Sequence, residues 1–121
     1  MFVEVKVNIE ITSEDIDDIR CAALEGGITY WCSTAKVVGD YLGEYAHEQI
    51  SRGGQLKLYD IEGDRVGVLT LDKLLEGIGM YIEKANKPML MYETRLDTSM
   101  IGASEADEIV QYALFGEIIY S

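Results

Sequence analysis

From residue 3 the chain alternates: Val3, Val5, Val7, Ile9 and Ile11 are apolar, and Glu4, Lys6, Asn8 and Glu10 between them are polar. Successive side chains of a strand point to opposite faces, so this pattern predicts a β-strand over 2–11 with one wet face. An antiparallel sheet suits such a strand. The period then changes. Thr12 and Ser13 offer a helix N-cap, and Glu14, Asp15, Asp17 and Asp18 fill the first turns, where carboxylates complement the helix dipole. Ile16, Ile19, Ala23 and Leu24 share one helical face, and Gly26-Gly27 is expected to stop the helix.

Residues 28–50 carry a weaker pattern. Residues 28–32 and Val37-Val38 favour strand, while Gly39 and Gly43 argue against one long helix, so a strand around 34–38 followed by an irregular or briefly helical segment is expected. Ser51-Arg52-Gly53-Gly54 signals a turn. Leu56, Leu58 and Ile61 then mark a strand, Glu62-Gly63-Asp64 a tight turn, and 65–69 a returning hairpin partner. Thr70 caps a second helix with the apolar stripe Leu71, Leu74, Leu75, Ile78 and Ile82. Gly77 and Gly79 each weaken that helix by about 1 kcal/mol relative to alanine. Glycine at these positions either admits a close neighbour or is merely tolerated. Residues 85–102 read as a loop holding at most a short strand. Ser104-Glu105-Ala106-Asp107 resembles a capping box, Ile109, Val110, Ala113 and Leu114 form the inner face of a third helix, and Gly116 ends it. Ile118-Ile119-Tyr120 is expected to close the chain as a strand. The order β-α-β-β-β-α-α-β predicts one α+β domain over 1–121, an antiparallel sheet with two to three helices packed on one side.

Composition changes this picture in one respect. The apolar fraction of 48% suits an ordinary globular core, but 10 Lys and Arg against 22 Asp and Glu leave a net charge of −12. Such a surface repels nucleic acid and anionic membranes. It either serves solubility alone or lets the chain act as an acidic inhibitor that imitates DNA on a host protein. No apolar run approaches the roughly 18 residues of a membrane span, and the alternating N-terminus does not look like a signal peptide. Cys21 and Cys32 have no CxxC spacing and no histidine cluster, so no zinc site can be drawn and a reducing cytoplasm with free thiols is expected.

Catalysis by a nucleophile needs a base held against it. The sole histidine, His47, sits in a Tyr-Ala-His-Glu context typical of a surface turn, most carboxylates fall at helix starts, and no GxGxxG or Walker loop is present. A binding protein without enzymatic activity or cofactor is therefore expected. Two features could serve binding. Tyr30, Trp31, Tyr41 and Tyr45 cluster in sequence, and such rings suit interfaces or stacking on bases as well as a core. Arg52 stands beside Gly53 and Gly54 in a chain with few positive charges. Its planar fork could grip a phosphate with help from the glycine N–H groups, or it could be an ordinary hairpin arginine in water.

The runs 23–32 (ALEGGITYWC), 38–45 (VGDYLGEY), 49–54 (QISRGG) and 111–117 (QYALFGE) resemble a signature of small phage and prophage proteins, and among these the first family of Thoeris anti-defence proteins. The resemblance implies a phage-encoded sponge in the cytoplasm of an infected bacterium. Such a sponge assembles as a homo-oligomer and sequesters a cyclised ADP-ribose signal, in some cases a cyclic oligonucleotide, without cleaving it. It also implies a phosphate contact at Arg52 and an adenine-stacking ring at Tyr81. The chain departs from the family pattern at Glu108, where the last helix would carry a basic residue. It departs again at Ile28 and Glu117, where basic residues would grip a second ligand. These departures leave the ligand open, the cyclic-oligonucleotide site above all.

Overall fold

A computed structural model of the chain describes residues 1, 8–85, 91–92 and 95–121. Its helices are α1 (Ser13–Ala22), α2 (Leu71–Ala85) and α3 (Ala103–Phe115). Its strands are β1 (Cys32–Val38), β2 (Gln55–Asp60), β3 (Arg65–Leu69), β4 (Met91–Tyr92) and β5 (Arg95–Leu96). β1, β2 and β3 form an antiparallel sheet in that order, and β4 and β5 pair as a separate two-stranded ribbon. The α+β class and the helical cover on one side of the sheet are as the patterning predicts.

Local chemistry sets each boundary. Thr12 and Asp15 form a reciprocal capping box: the Asp15 N–H donates to Thr12 Oγ1 at 3.1 Å, and the Thr12 N–H donates to the Asp15 carboxylate at 2.9 Å. The helix widens into a π-helical turn over Ala23–Gly27, so the glycine pair ends it as expected. The β2–β3 hairpin turns at Gly63, whose φ of 88° favours glycine, and Asp60 Oδ1 accepts from the N–H groups of Glu62 and Asp64. In the sheet, Val37, Leu56 and Leu69 lie in register on the face toward the helices, while Lys36, Lys57 and Val68 share the opposite face. Leu56, Leu58 and Leu69 join Ile16, Ile19, Leu74, Ile78, Ile109 and Val110 in one buried cluster.

Two expectations need correction. The strand expected at 118–120 is absent; Gln111 takes the place of a neighbouring strand, its Oε1 accepting from the N–H groups of Ile119 and Tyr120 at 2.8 Å each. The third helix starts at Ala103 with Gly102 as N-cap, not at Ser104, and Asp107 closes no capping box because its carboxylate is turned into the protein. Of the first predicted strand, residues 2–7 lie outside the described residues, and the remainder contributes one parallel bridge, Glu10 to Arg95.

The two helix glycines do different things. A Cβ on Gly77 would lie 2.5 Å from the Ile109 carbonyl oxygen and 2.9 Å from the Ala113 N, so Gly77 is where α2 and α3 touch backbone to backbone. A Cβ on Gly79 would meet nothing within 4 Å among the described residues. Gly77→Ala is accordingly expected to destabilise the fold by about 1–3 kcal/mol through overpacking. Gly79→Ala is expected to stabilise it by up to about 1 kcal/mol through helix propensity. Urea denaturation of the two variants reads both signs.

Candidate functional site

The segment between β1 and β2 is long but held at its centre. It contains a short 3-10 turn, Ala46–Glu48. The Glu48 carboxylate accepts the N–H groups of Glu44 at 2.6 Å and Tyr45 at 2.9 Å, and these bonds, with the Arg52 charge adding less, hold its pKa below the usual glutamate value. The neighbouring Gln49 is buried and accepts the Leu42 N–H at 2.9 Å. Gly43, at φ 79°, presses on the Glu48 side chain, and a Cβ on Gly54 would overlap the Gln49 amide. With the interior of the loop filled by Glu48 and Gln49, Tyr41, Leu42 and Tyr45 are left exposed, and His47 stacks on Tyr45 with ring centres 5.5 Å apart.

Arg52 belongs to this surface. Its side chain is 61% exposed, and its only ion pair among the described residues is to Glu48 Oε1 at 3.4 Å. One carboxylate thus touches both the Tyr45 backbone and the Arg52 guanidinium. An exposed pair of this kind is weak, and an anion can displace it. The Gly53 and Gly54 N–H groups are spent inside the turn, on the carbonyls of Ile50 at 3.0 Å and Gln49 at 2.8 Å. These glycines shape the Arg52 turn and offer no free donor to a ligand.

The structure places the other sequence candidates elsewhere. Tyr81 is 1% exposed and belongs to the core, so it presents no ring face for stacking. Trp31 is also buried. Its ring stacks on Tyr120 with centroids 4.7 Å apart and tilts against Phe115 at 5.9 Å. Arg52, Trp31 and Tyr81 do not line a common cavity in the single chain.

Sequence reasoning missed a polar network inside the protein. Asp107 accepts the Trp31 indole N–H at 2.8 Å, the Tyr30 hydroxyl at 2.7 Å and a Gln111 amide N–H at 2.9 Å. Desolvation, and then the bond to this carboxylate, push the Tyr30 phenol up to about 12. The available signal was Asp107 and Gln111, one turn apart among Ala106, Ile109 and Val110 on an otherwise apolar helix face. A second unexpected feature is a cavity of about 320 Å³ with Arg20, Thr29, Ser33 and Thr34 in its wall. Arg20 Nε is buried there with no hydrogen-bond partner among the described residues.

Neither cysteine is activated as a nucleophile. Burial pushes both the Cys21 and the Cys32 thiol up, which favours the unreactive protonated form. His47 makes no side-chain hydrogen bond among the described residues. No group of three or more His, Cys, Asp or Glu side chains suited to a metal ion occurs among them, and no helix among them is long and apolar enough to cross a membrane. No protein-family model, curated protein or solved structure matches the chain.

The raised Tyr30 pKa has a definite sign. The phenol titrates near 10.0 when unfolded and near 12 when folded, so its contribution to stability is complete below pH 10 and is lost as pH rises toward 12. Tyrosinate absorbance during alkaline titration is expected to show a late-ionising tyrosine that disappears in Tyr30→Phe. Gln111→Leu strands the Ile119 and Tyr120 N–H groups and is expected to cost about 1–3 kcal/mol in denaturant unfolding.

Proposed function

We propose that this protein binds a small anionic nucleotide at the 39–54 loop and holds it without cleaving it. One observation carries the reading. Arg52 is exposed and, among the described residues, tethered by a single weak ion pair, on a pinned loop that presents Tyr41 and Tyr45 to solvent with His47 stacked on Tyr45. The guanidinium fork supplies paired donors for a phosphate, and the exposed rings supply faces for a base. The loop frame is already held by Glu48 and Gln49, so little ordering cost falls on binding.

Sequestration of a cyclised ADP-ribose signal by a phage anti-defence sponge is the specific role that the sequence resemblance favours. Two of its motif runs, 38–45 and 49–54, fall on this loop. In this reading a second copy of the chain supplies the wall that one open surface lacks, and Tyr81 stays in the core.

Isothermal calorimetry against cyclised ADP-ribose isomers is expected to give saturable binding, and heating the complex is expected to return the ligand intact by mass spectrometry. Arg52→Ala is expected to weaken binding at least tenfold with an unchanged melting temperature, because the exposed Arg52 side chain makes one weak ion pair among the described residues. No binding by the folded protein to any isomer would overturn the proposal, and recovery of a cleaved product would overturn its non-enzymatic part. Binding unaffected by Arg52→Ala but abolished by Arg20→Gln would move the site to the Arg20 cavity.

A further inference from the structure

At the opposite end of the sheet from the Arg52 loop's glycine turn, the β2–β3 hairpin faces the Tyr30–Trp31 segment across a recess of about 370 Å³. Its walls include the rings of Tyr30, Trp31 and Tyr120, the side chain of Ile61, and two acids, Asp60 and Glu62; among the described residues no lysine, arginine or histidine lines it. The rings are fixed before any ligand arrives. The Tyr30 hydroxyl is held by Asp107, the Trp31 indole N–H by the same carboxylate, and Tyr120 lies flat on Trp31 at an interplanar angle of 1°. Part of this surface is nonetheless open: Tyr30 is 49% exposed and Ile61 60% exposed. Asp60 uses Oδ1 on the hairpin backbone, whereas the Glu62 carboxylate makes no hydrogen bond or ion pair among the described residues.

We propose that this recess is a docking site for an arginine side chain of a basic partner polypeptide. The argument is charge complementarity combined with ring geometry. A guanidinium stacks on aromatic faces and is more weakly hydrated than an ammonium, so it gains from the half-exposed, fixed Tyr30 ring and the nearby carboxylates. A phosphate-bearing ligand is disfavoured here by Asp60 and Glu62, which separates this site from the nucleotide surface around Arg52. Ile61 beside the acids requires an apolar residue next to the arginine to cover it. The proposal stands apart from the nucleotide reading and survives its failure.

Trp31 is the chain's single tryptophan and lies in the wall of the recess, so its emission reports occupancy directly. The experiment titrates the full chain with the blocked pentapeptide Ac-Ala-Leu-Arg-Leu-Ala-amide and with the same peptide carrying citrulline, which keeps the shape and removes the charge. Backbone chemical shifts locate the contact. Saturable binding is expected for the arginine peptide, with shifts confined to residues 30–31, 60–62 and 120, and affinity at least tenfold weaker for the citrulline peptide. Glu62→Lys leaves the hairpin backbone bonds in place and is expected to weaken the arginine peptide at least tenfold. No saturable binding, equal affinity for the two peptides, an unaffected Glu62→Lys variant, or shifts spread over the acidic surface would each overturn the proposal.

Discussion

A carboxylate cannot be taken out of water without partners, because the cost of an unpaired buried charge rivals the net stability of a whole domain. Asp107 therefore dictates much of what surrounds it. It stands on α3 and draws in the hydroxyl of Tyr30, the indole of Trp31 and the amide of Gln111, the first two from 77 and 76 residues away in sequence. Gln111 then takes up the backbone of the C-terminal segment, and Tyr120 lands flat on Trp31. Two neighbouring polar side chains on one helix thus tie together the end of the π-helical turn, the start of β1 and the last residues of the chain.

The same economy recurs in the loop before β2, where Glu48 and Gln49 gather the backbone of residues 42–45. Other acids act likewise: Asp15 closes the cap of α1, Asp60 holds the hairpin turn, and Asp97 caps the 3-10 turn Thr98–Met100. A good part of the acidic excess is thus a supply of local hydrogen-bond acceptors. Arg52 is the counterpoint, a cation in the single ion pair among the described residues. Around it Tyr41, Leu42 and Tyr45 are left exposed.

Much of this architecture was legible before the structure. The β2–β3 hairpin follows from period-two alternation broken by Gly63, and the ends of α1 and α3 follow from the Thr12 cap and from Gly116, which takes the left-handed φ of 73°. What was misread shares one cause. Ile118-Ile119-Tyr120 has strand composition, but a strand needs a backbone partner, and here a side chain from the previous helix serves instead. Asp107 was read as a local cap because a pattern of neighbours in sequence cannot reveal donors arriving from residues 30 and 31. The site was legible to a similar depth. Arg52 stood out as a cation in a turn and is found exposed on one. Tyr81 was picked by resemblance, although its spacing of three from Ile78 and seven from Leu74 already placed it on the buried stripe of α2.

The two glycines packed on Glu48 and Gln49 separate the residues that build the 39–54 loop from the residues it displays. Gly43, Glu48, Gln49 and Gly54 are mutually constrained by contact, and a change at one requires a change at another. Tyr41, Leu42, Tyr45 and Arg52 project outward and carry almost none of that load. The outward set can therefore be rewritten at little cost to folding, so the loop can change the surface it shows while keeping one frame.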